Sequence, residues 1–140
     1  MATVELRFSA LPEHVRTARL VAAAVARRAG VDESVLDEVR LAVGEACSRA
    51  VGLHQRGDAH GAIRVALTEQ EKRFLIEVAD EAGPTMVPAP AGGGGTDSAD
   101  DDMLGLAVIT GLVEDVEVSS SLEGGVIRMS WPVSTAPVAV

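Results

Sequence analysis

Glu45 and Arg49 stand four residues apart in the stretch "GEACSRAVGLH" (44–54), and that spacing permits two kinds of chemistry. A carboxylate held in a partly dry site can work as a general base. The same carboxylate, one helical turn ahead of a guanidinium, can form an i,i+4 ion pair worth about 0.3–0.5 kcal/mol. Asp80 closes the run "LIEVAD", where a carboxylate can meet a ligand or simply shape a turn. Gly92 to Gly95 precede an acidic cluster of Asp97, Asp100, Asp101 and Asp102. Such clusters can bind divalent cations, and the simpler reading is a solvated linker. Cys47 is the only cysteine, so neither an internal disulfide nor a cysteine zinc site can form. His54 and His60 have no spacing that implies a metal site.

Regular elements must place these residues. "VELRFSA" (4–10) alternates apolar and polar side chains, which predicts a strand. In the segment that follows, Leu11, Val15, Ala18, Ala22, Val25 and Ala29 recur at spacings of three and four, the pattern of one helix face. Pro12 suits its first turn and Gly30 its stop. Asp32 reads as an N-cap. The helix it opens carries Leu36, Val39, Val43, Ala46, Cys47 and Ala50 on one side. At about 100° per residue, Glu38, Ala42, Glu45 and Arg49 share another side, and Gly57 and Asp58 end the unit. Strands around 62–68 and 73–79 form a predicted hairpin. Residues 84–102, rich in Pro, Gly and Asp, read as a flexible, lid-like loop. "MLGLAVITGLVEDV" reads as a short helix, and "VEVSSS" with "GVIRMSWPV" as a second hairpin.

Composition limits the function. The chain has 140 residues, 47% of them apolar and only 2% aromatic. That suits one globular domain, residues 1–140, with a core of Leu, Val, Ile and Ala. The formal net charge of −9 argues against nucleic acid and against an anionic membrane surface, since both require clustered cations. No apolar run approaches the about 18 residues of a membrane span. The N-terminus "MATVELRFSA" lacks a signal peptide's basic start and apolar centre, so a cytoplasmic location is expected.

The order of elements and three local motifs resemble the anti-sigma-factor serine kinases of the RsbW and SpoIIAB type. These belong to the GHKL superfamily of histidine-kinase-like ATPases, with the Bergerat fold. The resemblance covers nearly the whole chain. It implies an α+β fold: a two-layer α/β sandwich, a mostly antiparallel sheet with helices on one face. In that family a helix carries E-x-x-x-N, where Glu activates a water or hydroxyl and Asn holds Mg²⁺. "LAVGEACSRAV" places Glu45 on the catalytic Glu and Arg49 on the Asn. A guanidinium has no lone pair to give a metal. The family's D-x-G-x-G motif, whose Asp reads the adenine amino group, corresponds to Asp80 with Gly83 one residue late. Its phosphate-binding G-x-G corresponds to "MLG", which keeps Gly105 and has Met103 in the first position. A Thr often follows Gly-Gly in the last hairpin, and Val126 stands there in this chain.

The resemblance therefore implies a cofactor-binding set of Arg49, Asp80, Gly83 and Gly105, with Glu45 at the catalytic position and no resident metal. Between Arg73 and Arg128 there is no Lys or Arg, so a triphosphate would lack the cations it normally needs. The reading is weak ATP or ADP binding, or none, with Mg²⁺ deprived of its ligand and Glu45 paired instead with Arg49. The implied function is regulatory: binding an RNA polymerase sigma factor, an anti-anti-sigma (STAS-type) protein, or both, in a partner-switching system. Two alternatives stay open, an active ATP-dependent serine kinase acting on that antagonist and a small dimeric interaction module unrelated to sigma factors. Similar proteins are dimers, which leaves a homodimer open here. Arg16, Arg19, Arg27 and Arg28 concentrate positive charge on the first helix, and Arg16 and Arg19 are the candidate partner-binding residues.

Overall fold

The computed structural model describes residues 3–57, 59–82 and 105–133. Alternation of side chains gives β1 (Thr3–Ser9), followed by α1 (Glu13–Ala29). Pro12 occupies the position just before α1, and Gly30 ends it at φ 101°, where its N–H reaches the Ala26 and Arg27 carbonyls. A residue with a Cβ is strained at that φ. Asp32 then caps as its sequence position predicts: its carboxylate accepts from Ser34 N at 3.1 Å. The cap closes a single 3₁₀ turn, Glu33–Val35, from which α2 (Leu36–Arg56) grows. The predicted end at Gly57 holds, and Asp58 lies outside the described residues. β2 (Ala62–Glu69) and β3 (Arg73–Ala79) form the first hairpin, α3 is helical over 105–112, and β4 (Asp115–Ser121) and β5 (Gly124–Pro132) form the second.

The sheet runs β1-β2-β3-β5-β4, and every pairing is antiparallel. One face carries Ile63, Val65, Leu67, Phe74, Ile76, Val78, Ile127, Met129 and Trp131, all buried in one core with α1 and α2. The expected stripe on α2 is wholly buried, and Ala42, predicted on another side, is buried too. Ala18, Ala22 and Ala26 of α1 join the same core. Side chains this small let two helices and a sheet approach closely, which is how an aromatic-poor sequence fills its interior. Leu11 departs from the predicted stripe: it precedes α1 and is 43% exposed.

The other sheet face is open and charged. Arg128 lies between Glu77, at 2.9 Å, and Glu117, at 3.7 Å, and these contacts raise its already high pKa. Arg73 pairs with Asp115. Arg7 and Arg64 stand directly opposite each other on β1 and β2.

Cys47 is a free thiol in the core. Burial pushes its pKa up from 9.0 to about 12, because a thiolate loses its hydration there. Between those values the unfolded chain gives up a proton that the folded chain keeps, so stability falls as pH rises. The expected slope is about 1.4 kcal/mol per pH unit above pH 9. Cys47→Ala should flatten this component whatever its effect on absolute stability. Urea melts of both proteins across that window measure it, and equal slopes would refute it.

Candidate functional site

α2 positions Glu45 half-buried on its outer flank. The carboxylate lies against the helical stretch of α3: a Cβ at Gly105 would come within 3.4 Å of Glu45 Oε2. The structure thus brings together two of the sequence-predicted residues, one before and one after the 84–102 loop. That loop, with Gly83 and Met103, lies outside the described residues.

Arg49 follows one turn along α2. The ion pair expected from its spacing is not formed: among the described ion pairs none joins Glu45 to Arg49. Spacing of i,i+4 brings two side chains within reach but does not choose their rotamers. The Arg49 Nε is buried and has no hydrogen-bond partner, a state that costs about 1–3 kcal/mol. A Mg²⁺ ion held from this position does not fit. Guanidinium offers donors only, and its fixed charge repels a dication.

Asp80 sits just past β3 and is only 8% exposed. Its N–H donates to the Gly125 carbonyl at 2.9 Å. Its Oδ1 accepts from Gly125 N and from Ala82 N, each at 3.1 Å. The carboxylate is therefore held through Oδ1 by two backbone amides from different segments. Gly124, at φ 152°, makes this possible: a Cβ there would lie 1.9 Å from the Asp80 carbonyl oxygen. A Cβ at Gly125 would lie 3.0 Å from Asp80 Oδ2. Sequence reasoning noted "EGG" only as the approach to Val126 and missed that both glycines cradle Asp80.

It also missed His54. This side chain is 1% exposed, in the last turn of α2, and its Nε2 accepts from Glu81 N at 2.9 Å. That contact places the ring proton on Nδ1, which is buried without a partner. Glu81 in turn accepts from Ala62 N at 2.6 Å. The end of α2 is thereby tied to the residue beside Asp80. A cleft of about 510 Å³ opens next to this tie, with Arg7, Arg64, Asp80, Glu81 and Val126 in its walls. It belongs to the open sheet face, whereas Glu45 and Arg49 stand on the helix side.

On α1, Arg16 and Arg19 are both exposed. The Arg19 stem lies across α2 at Gly44, where a Cβ would come within 2.7 Å of Arg19 Cδ. Arg27 is committed to Glu33 at 3.1 Å, so the four arginines of this helix are not equivalent.

A model of the family described as histidine kinase-like ATPase domain matches residues 8–131. Similar curated proteins carry the name serine-protein kinase RsbW. That of Bacillus subtilis is 33% identical over 78 residues, 56% of this chain and 49% of the relative. That of Oceanobacillus iheyensis is 27% identical over 139 residues, 91% of this chain and 84% of the relative. That of Bacillus pumilus is 34% identical over 82 residues, 57% of this chain and 51% of the relative. The matches to the Bacillus subtilis and Bacillus pumilus proteins span about half of each relative's length.

Proposed function

We propose, from the premise that this chain belongs to the histidine kinase-like ATPase domain family, that it is a regulator of partner switching that works by binding. It holds a sigma factor, a STAS-type antagonist of that factor, or both, in the cytoplasm. It binds ATP weakly and does not carry out Mg²⁺-dependent phosphotransfer. The similarity to proteins named serine-protein kinase RsbW supports the partner class. One observation carries the loss of phosphotransfer: Arg49, with a buried and unpartnered Nε, occupies the place on α2 from which the metal would be held.

Mg-ATP is expected to bind no more tightly than about 100 μM, and the antagonist should gain no phosphate when incubated with the protein and Mg-ATP. Calorimetry and phosphate incorporation test the two halves, and capture of a sigma factor or antagonist by the immobilised chain tests the partner class. A micromolar constant accompanied by phosphotransfer would favour the second reading, an active serine kinase. That reading draws on one feature, the retention of Glu45 against Gly105. Assembly as a homodimer is part of the proposal, and sedimentation measures it.

A further inference from the structure

The arginines described on the open face of the sheet divide into two pairs. Arg128 lies between carboxylates on both neighbouring strands, Glu77 and Glu117, which are its register partners. Arg73 is matched by Asp115. Arg7 and Arg64 have no such match. They are register partners of each other, and the position beyond Arg64 on β3 is Ala79. Like charges directly opposite on antiparallel strands repel, yet none of the described hydrogen bonds or ion pairs involves either guanidinium. Glu81 does not relieve them, since its carboxylate accepts from Ala62 N at 2.6 Å. The two arginines instead form one wall of the cleft of about 510 Å³, a volume ample for a ligand.

The row Arg7, Arg64, Ala79, Val126 runs unbroken across β1, β2, β3 and β5. Cations therefore stand at one end of the cleft, small apolar side chains form its middle, and Glu123, in the β4–β5 turn, closes the other end. From between β1 and β2 to that turn is three strand spacings, about 14 Å. In an extended chain, residues four apart point the same way and lie about 13 Å from each other. We propose that this cleft docks an extended segment of a protein partner that carries an acidic and a basic residue four positions apart. The Arg7–Arg64 pair receives the carboxylate, which a guanidinium fork fits through two hydrogen bonds. Glu123 receives the basic side chain, and the residue midway lies over Ala79. Glu81 and Glu123 in the same cleft disfavour a phosphate dianion. The cleft lies across the sheet from Glu45 and Arg49, and although Asp80 contributes to its wall, Asp80 Oδ1 is already taken by two amides.

The test is an NMR titration of the full chain, following the amides of Arg64, Ala79 and Val126, with acetyl-Glu-Thr-Val-Thr-Lys-amide and with its reversed sequence. One of the two is expected to bind with a constant below about 1 mM. Replacing its Glu by Gln should weaken it at least about tenfold, as should Arg7→Gln combined with Arg64→Gln in the protein. Arg73→Gln, on the same face but outside the cleft, should bind like wild type. Emission from the single tryptophan, Trp131, buried in the core, verifies that each variant is folded. Absence of a saturable shift with either peptide up to about 5 mM would overturn the inference. So would equal binding of the Glu and Gln peptides, a double arginine variant that binds like wild type, or acetate that saturates the same amides as tightly as the peptide. A double variant that changes the sedimentation of the free chain would also overturn it, by assigning the cleft to contact between copies. The inference goes beyond the partner-switching reading and does not rest on it, so capture of a sigma factor or antagonist is scored apart.

Discussion

Gly124→Ala is expected to destabilise the protein by about 4 kcal/mol and to lower its melting temperature by roughly 10 °C. Two costs add. At φ 152° a residue with a Cβ is strained by about 1–3 kcal/mol. The new methyl also meets the Asp80 carbonyl oxygen at 1.9 Å, and neither atom belongs to a flexible side chain. Relief requires the β4–β5 hairpin to move away from the end of β3, which breaks the exchange of hydrogen bonds between Asp80 and Gly125. Nucleotide binding should fail together with stability, because Asp80 loses the amide that fixes its carboxylate. Thermal melts followed by Trp131 emission give the first number and ADP titration the second. A shift below about 1 kcal/mol would show that the hairpin is not clamped on Asp80.

Arg16→Ala combined with Arg19→Ala is expected to weaken partner binding about thirtyfold, equivalent to about 2 kcal/mol. Both side chains are exposed on α1 and neither takes part in a described ion pair within the chain, unlike Arg27, which is held by Glu33. Arg19 has the stronger claim. Its stem rests on Gly44 of α2, so the guanidinium is presented from a supported position and loses less freedom when it meets a carboxylate. The melting temperature should move by no more than about 2 °C, since little buried area is lost. Binding to a captured sigma factor or antagonist, measured by surface plasmon resonance, decides it. Unchanged binding would leave these arginines as a solvated helix face.

Much of the fold was legible because its signals are local. Asp32, Gly30 and the α2 stripe each depend on neighbours within a few residues, and the structure bears them out. Strand alternation located both hairpins to within about two residues. The site was legible only in its outline. Glu45 and Gly105 do meet, yet the spacing argument paired Glu45 with Arg49, and the structure leaves Arg49 without that partner. Position along a helix limits which groups can touch, whereas packing across the loop decides which do. The cradle around Asp80 was hidden for a related reason. Gly125 lies 45 residues from Asp80, and two adjacent glycines in a hairpin look like ordinary turn chemistry. His54 gave no signal at all, because a histidine near a helix end is usually solvated, and only the fold brings the Glu81 amide to it.

The placement of β1 has a consequence for how the molecule assembles. β2–β3 and β4–β5 are joined by tight turns, but β1 reaches β2 across α1 and α2, with Thr3 opposite Thr68. Closing so large a loop costs entropy that is regained only when the whole strand pairs. β1 is an edge strand held in the sheet by this one long-range pairing, so local opening is expected there. Each detachment uncovers the edge of β2, a row of unpaired amides and carbonyls beside the apolar residues Ile63, Val65 and Leu67. An edge of that kind accepts the same strand from another copy as readily as from its own chain. At high concentration, exchange of N-terminal strands between molecules is therefore an expected consequence of this connectivity.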